Sequence, residues 1–307
     1  MVQTYGANGG DLRLTETANV LLHRTLVDLT DLYSLLVNLG DQAGRGSTVD
    51  QISTVTLTDA MTAPAEGGTT GVVDPTFGSV TVTIARQQLR RQITDLLKLT
   101  SAPGMWALNP MQVAEDARNS ITLRRTGLAA ALFAAITNSV GASGVDLTVT
   151  NIFQAKFQLQ TTRNTPRFAC VLHPVQMHDF ETDLRGETGP LQWISASPEM
   201  LRAKGPGFAG SWLNIDFYTS DQVATANGGA DRQGAMFAPG FAGFKEASAR
   251  NLTQNAGTQM LGVSPFAPAW IEISRTPSTG VEEFNYNYYT GVAEIEDNRA
   301  VDVTTDA

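Results

Sequence analysis

The sequence predicts an α+β fold in which helices and strands are intermixed without regular βαβ alternation. Three observations carry this. An apolar stripe of helical period follows Asn109-Pro110, two β-patterned runs flank a Gly-rich polar segment, and the carboxyl end is dense in strand patterns.

In chain order, residues 1–14 contain Gly and Asn and read as an extended arm. From Thr15 to Leu39 the apolar positions Ala18, Leu22, Leu26, Leu29, Tyr33 and Leu36 recur every three or four residues. That spacing predicts an amphipathic helix stopped by Gly40. Gly44-Arg45-Gly46-Ser47 reads as a linker. Residues 52–61 and 79–85 alternate Val55 and Leu57, then Val80, Val82 and Ile84, with threonine, so both predict strands. Between them, Ala63-Pro64-Ala65-Glu66-Gly67-Gly68-Thr69-Thr70-Gly71 is too polar and Gly-rich to enter a core. The unit is a long hairpin with a loose tip. A two-stranded ribbon is marginal by itself, so this one is expected to lie against something else.

Gln87–Leu99 reads as a short helix. The strongest helical signal comes next. Asn109 is a good N-cap, and Pro110 stands at the first helical position, where its missing N–H costs nothing. Val113, Ala117, Ile121, Leu128, Leu132 and Ile136 form one stripe, and Gly141 is placed to end it. About 31 residues at ~1.5 Å each give a rod of roughly 46 Å, a structural spine.

In the second half, Thr150 or Asn151 caps a helix with Phe153 and Phe157 on one face. Phe168-Ala169-Cys170-Val171-Leu172 is a short apolar run, expected as a strand buried on both faces. His173-Pro174 turns into a helix through Arg185. Strands follow at Leu213–Tyr218, near Ala235–Phe244, and at Trp270–Ser274, Val281–Tyr289, Gly291–Glu296 and Ala300–Val303, with a turn at Pro277–Gly280.

Composition narrows the function. Of 307 residues, 42% are apolar and only 17% charged, against roughly 25% charged in soluble domains. A surface rich in Thr, Asn, Gln, Ala and Gly suits a protein covered largely by copies of itself. The single cysteine, Cys170, excludes an intramolecular disulfide and a multi-cysteine metal site. No apolar run reaches the about 18 residues of a membrane span, and the first residues lack a signal peptide's basic and apolar regions. A soluble protein made in a cytoplasm is therefore expected.

The net charge is −9, and residues 281–307 set seven carboxylates against Arg299 alone. Lysine occurs only at positions 98, 156, 204 and 245. Arginines gather at Arg86, Arg90 and Arg91 and at Arg118, Arg124 and Arg125, which read as solvated helix faces or intersubunit salt bridges. A nucleic-acid grip would need a denser basic patch.

Enzyme-like features are weak. Gly205-Pro206-Gly207-Phe208-Ala209-Gly210 matches G-x-G-x-x-G, but a helix-like segment precedes it and a strand follows, the reverse of a dinucleotide-binding turn. Cys170 sits mid-strand in apolar company, where a thiol is inert. His173 and His178 are five apart and do not share a helix face, and His23 is isolated, so neither a zinc site nor another cofactor site is expected.

The order of elements resembles that of tailed-bacteriophage major capsid proteins with the Hong Kong 97-type fold. An arm and helix lead to a long polar hairpin and then to the helix begun by Asn109-Pro110. A mixed domain follows, entered by the strand-His-Pro-helix step Phe168–Pro174 and containing Gly234-Ala235-Met236-Phe237-Ala238-Pro239-Gly240. A β-rich end closes in Tyr289-Thr290-Gly291-Val292-Ala293. The resemblance implies an N-terminal arm and helix over 1–50, an extended loop over 51–85 and a peripheral domain with the spine helix over 86–146. It further implies an axial domain over 147–259 and peripheral-domain strands over 260–307.

The implied function is structural and non-enzymatic. Copies of the chain, as pentamers and hexamers, form the icosahedral shell of a virion around double-stranded DNA. DNA is held without sequence-specific contact, and a separate scaffolding protein and a portal are further implied partners. The alternatives are an encapsulin nanocompartment shell, which shares the fold, and a cofactor-binding enzyme. Glu66, Gly67, Gly68 and Thr69 at the loop tip and Arg86, Arg90 and Arg91 at its exit are the expected intersubunit contacts. Covalently cross-linked members carry a lysine in the extended loop, and residues 51–91 contain none.

Overall fold

The computed structural model describes residues 30–41, 45–56, 66, 68, 76–100, 110–162, 167–186, 193–249, 258–261 and 268–306. Sixteen strands occur among them: β1 Val37–Asp41, β2 Thr48–Thr56, β3 Thr76–Thr83, β4 Ala85–Thr94, β5 Ser139–Val140, β6 Phe168–Leu172, β7 Ile194–Ser195 and β8 Phe208–Trp212. The others are β9 Ile215–Thr219, β10 Thr225–Ala226, β11 Asp231–Phe237, β12 Ala242–Glu246, β13 Thr258–Leu261, β14 Ala269–Thr276, β15 Val281–Glu294 and β16 Ala300–Asp306. They form a six-stranded sheet ordered β1-β12-β15-β14-β13 with β4 on β15, and an eight-stranded sheet ordered β5-β16-β11-β6-β9-β8-β7 with β10 on β11. β2 and β3 make a separate two-stranded ribbon. The predicted α+β class is the class observed.

The helix Pro110–Ala131 connects the two sheets. Its first half buries Val113, Ala114 and Ala117 against Ile93, Ile271, Phe284 and Tyr286 of the six-stranded sheet. Its end buries Ala129 and Ala130, with Phe133 just beyond, against Phe237, Phe241 and Ala300. On the opposite face of the eight-stranded sheet, helices Val149–Thr162 and Pro174–Gly186 supply Ile152, Leu159 and Phe180 to a core with Cys170, Phe217 and Val303. Gln176 clamps the second of these helices. Its Nε2 donates to the carbonyls of Arg232 (3.0 Å) and Val303 (3.1 Å) and to Thr305 Oγ1 (2.8 Å).

Five sequence expectations are corrected. The helix expected over Thr15–Leu39 lies mostly outside the described residues, and its end is not α-helical. Leu32–Leu35 is one 3-10 turn capped by Asp31, whose Oδ1 accepts the Tyr33 N–H at 3.1 Å. The chain then becomes extended and adds β1 in parallel to the edge of β12. The long helix has 22 residues, about 33 Å at ~1.5 Å each, rather than roughly 46 Å. It tightens into a 3-10 turn at Leu132–Ala135, and Ser139 and Val140 leave to pair with β16. Gly141 (φ +99°) therefore follows a strand, and a Cβ there would lie 2.2 Å from the Thr304 carbonyl oxygen. The cap expected at Asn109 lies outside the described residues.

Residues 85–94 form β4, not a helix, paired with β15 from Ala85↔Thr290 to Thr94↔Val281. Only Asp95–Thr100 is helical. Leu89 and Ile93 are four apart and satisfy both periods, so the ten-residue ladder decides against the local helix preference of Arg, Gln and Leu. The run expected near Ala235–Phe244 breaks at Pro239-Gly240 (φ +91°) and supplies one strand to each sheet, β11 and β12. The helix Val149–Thr162 is capped by Thr148, whose Oγ1 accepts the Asn151 N–H at 3.3 Å. Phe153 and Phe157 do share its face, but that face is outward.

Candidate assembly interface

The ribbon is built on threonine alternation, and its register runs from Thr48↔Thr83 to Thr56↔Thr76 with one irregularity between Ile52 and Thr54. Eight residues at about 3.3 Å each make it roughly 26 Å long. Among the described residues its strands pair only with each other. At its base Val82 is buried while Thr81 and Thr83 are exposed, and the Ile84 N–H donates to the Ser47 carbonyl at 2.8 Å. The base rests on β15 at Gly291, where a Cβ would sit 2.2 Å from the Thr83 carbonyl oxygen. Of the expected tip contacts, Glu66 and Gly68 are exposed; Gly67 and Thr69 lie outside the described residues.

β4 continues the chain from β3 and carries the three arginines. Arg86 donates from Nη2 (2.6 Å) and Nε (3.1 Å) to the side-chain oxygen of buried Asn287. Arg90 pairs with Glu283. Arg91 makes a two-pronged bond to Asp116 on the long helix, Nε to Oδ2 at 3.0 Å and Nη2 to Oδ1 at 3.1 Å. The Tyr286 hydroxyl donates to the same carboxylate at 2.9 Å. These bonds tie the loop exit to the sheet and helix of its own chain. Being half exposed, the Arg90 and Arg91 pairs are each worth about 0–1 kcal/mol.

A second cluster, which the sequence reading assigned to a solvated helix face or an intersubunit salt bridge, surrounds Arg125. It stands four residues after Ile121, on the apolar side of the long helix. Its Nη1 lies 3.1 Å from Asp31 and its Nε 4.0 Å from Glu246, and its guanidinium covers the Tyr33 ring at 4.7 Å. Tyr288 donates to Glu246, and Tyr33 Oη is 3.0 Å from Thr290 Oγ1. Burial pushes the Tyr33 hydroxyl up to about 12. Three segments from distant parts of the chain are thus joined by charge. The helical period of Ile121 and Leu128 was the available signal, because it places position 125 beside the stripe.

Where β15 ends, Glu294 faces Asp297. Burial, reinforced by the Asp297 carboxylate, raises the Glu294 carboxyl to about 7. Asp297 itself accepts the Thr137 N–H at 3.0 Å.

The enzyme-like motifs dissolve into fold. Gly205–Gly210 joins helix Pro198–Lys204 to β8, so no helix N-terminus faces the turn. Cys170 is buried in β6, and desolvation drives its thiol far above the usual range. His173 Nδ1 accepts the Val175 N–H at 3.3 Å while His178 is exposed, and no three His, Cys, Asp or Glu residues cluster as metal ligands among the described residues.

No family model matches the sequence, and no curated protein matches it. Solved structures do. A capsid chain of Ralstonia phage GP4 superposes with a TM-score of 0.63 at 11% identity, covering 92% of this chain and 93% of that one. A chain of Mycobacterium phage Che8 gives 0.58 at 14% identity, over 91% and 94%. The SrpI encapsulin of Synechococcus elongatus PCC 7942 gives 0.55 at 12% identity, over 92% and 89%. The chain has the Hong Kong 97-type fold. At these identities the likeness is one of architecture, and it extends over nearly the whole of both chains.

Proposed function

We propose that this chain is the major capsid protein of a tailed bacteriophage, assembling as pentamers and hexamers into a shell around double-stranded DNA. The observation that carries the reading is the ribbon β2–β3. A two-stranded element of roughly 26 Å without a third strand has little stability by itself and gains it by lying on a neighbour. The near-complete superposition on chains of phage capsids supports the same reading. In it, residues 51–85 are the extended loop, the helix Pro110–Ala131 and the six-stranded sheet are the peripheral domain, and the eight-stranded sheet is the axial domain. Glu66–Thr69 and the exposed sides of Arg86, Arg90 and Arg91 meet adjacent subunits. A scaffolding protein and a portal complete the assembly, and the virion is the final location.

An encapsulin shell is the second reading, favoured by the superposition on SrpI. Purified particles separate the two. Electron microscopy of the expressed chain, with and without a scaffolding protein, should show hollow closed shells. Nuclease-protected double-stranded DNA in native particles supports the capsid, whereas a packaged enzyme supports the encapsulin. A chain that stays monomeric under both conditions defeats both. Replacing residues 57–75 by a two-residue Asn-Gly turn should leave thermal unfolding of the subunit unchanged and abolish shells. Equal loss of both would place the ribbon in the subunit's own core.

A further inference from the structure

The eight-stranded sheet carries opposite charge at its two edges. At the β8–β9 side, a cleft of about 1010 Å³ opens between helix Pro198–Lys204, β9 and the Ser34–Leu35 turn. Arg167, Arg202 and Lys204 line it against one carboxylate, Asp216. That carboxylate is already engaged: Lys204 pairs with it, Ser211 Oγ donates to it at 2.6 Å, and Arg167 Nε lies 3.8 Å away. Arg202 is exposed and makes no ion pair with any described residue. The cleft is thus left with a positive excess in a chain of net charge −9.

On the opposite face of the sheet, the turn between β8 and β9 is flanked by exposed apolar side chains. Phe153 packs edge-on to Trp212 of β8, and it, Phe157 and Leu213 of the β8–β9 turn remain 43%, 69% and 41% exposed. Exposed phenylalanines of this size mark a surface that a partner covers rather than a solvated helix face.

At the other edge, the Asp306 N–H donates to the Val145 carbonyl at 3.0 Å, which brings the end of β16 beside Asp146. Asp179, on helix Pro174–Gly186, lies within electrostatic reach of the same group: burial and then the carboxylates of Asp146 and Asp306 raise its carboxyl, against His178. From β16 to β8 the order is β16-β11-β6-β9-β8, four steps of ~4.8 Å or about 19 Å. That is roughly two Debye lengths at physiological salt, too far for the two edges to neutralise each other within one subunit.

We propose that copies of the chain associate edge to edge, the Asp146–Asp179 side of one seated on the Arg202 side of the next. The inference rests on the shell reading and specifies how its rings close. A contact between two different surfaces of the same chain repeats head to tail and closes into a ring when the rotation allows.

Charge reversal tests it. Arg202→Glu places like charges across the contact, and so does Asp179→Arg; each alone should raise the concentration needed for assembly at least tenfold by mass photometry. An equimolar mixture of the two should assemble again, because alternating subunits restore opposite charges at every contact. Only even-membered rings can alternate, so the mixture should form hexamers and no pentamers. Arg202→Gln and Asp146→Lys serve as second variants, and unchanged thermal unfolding shows that the subunits remain folded. Single variants that assemble like the parent, or a mixture that does not recover, overturn the proposal. So does loss of binding to a 30-base-pair DNA duplex in Arg202→Glu with assembly intact, which would assign the cleft to phosphate. A parent chain that never assembles overturns the shell reading itself.

Discussion

Glu294 shows how one side chain couples the fold to pH. Its folded-state pKa of about 7 lies above the ordinary glutamate value of 4.5. Below the ordinary value the group is neutral in both states and makes no difference. As pH rises from there to about 7, the unfolded chain releases this proton and the folded chain retains it, so stability falls; above about 7 the penalty is constant. Glu294→Gln should therefore raise the melting temperature above pH 7 and leave it unchanged below pH 4.5, measured by calorimetry across that range. A gain of equal size at every pH would mean that ionisation of Glu294 is not its cause. Arg125 makes the complementary point at the same scale. Its charge is partly buried where the long helix meets Asp31 and Glu246, so it organises a junction that an isolated arginine count could not reveal.

Among elements, the short apolar run and its neighbours were the most legible. Phe168–Leu172 has no polar residue to place on a solvent face, and it is a strand buried on both faces but for the partly covered Ala169. The hairpin over residues 48–83 was equally plain, since threonine alternation leaves no helical stripe. β4 was not legible, because Leu89 and Ile93 fit a helix as well as a strand and the deciding partner, β15, lies almost two hundred residues away. The exposed face of Phe153 and Phe157 was also hidden: spacing places both on one side of a helix, and only packing says which side is covered. At the base of the ribbon, Gly291 permits backbone contact that a side chain would prevent. Gly291→Ala should cost roughly 1–3 kcal/mol in urea unfolding through overpacking against Thr83. It should impair assembly further than that loss alone explains, because it tilts the ribbon; an assembly defect no larger than that of an equally destabilised core variant would argue that the ribbon's angle is unimportant.

For the molecule as a whole, the lysines bear on how a shell would be held. Lys156 donates to the Leu213 carbonyl at 2.7 Å, Lys204 is paired with Asp216, and Lys245 is buried. None lies on the ribbon, and arginine is no nucleophile. Particles boiled in detergent should therefore run as a single band near 33 kDa. A ladder of covalent multimers under reducing conditions would overturn this and direct attention to Lys98. The overall architecture was readable from the order of elements. The division of one run into β11 and β12 was not, since Pro239-Gly240 sends the chain from one sheet to the other without interrupting its apolar character.

β3 passes into β4 with only Ile84 between them, and β4 is zipped to β15 along ten residue pairs. Tension drawn along the chain from the ribbon therefore enters the sheet lengthwise. The ladder is loaded in shear, so its bonds share the force and must yield together, whereas a crosswise pull would peel them one by one. A container under internal pressure would thus transmit stress from each subunit's outstretched ribbon into a strand held along its whole length.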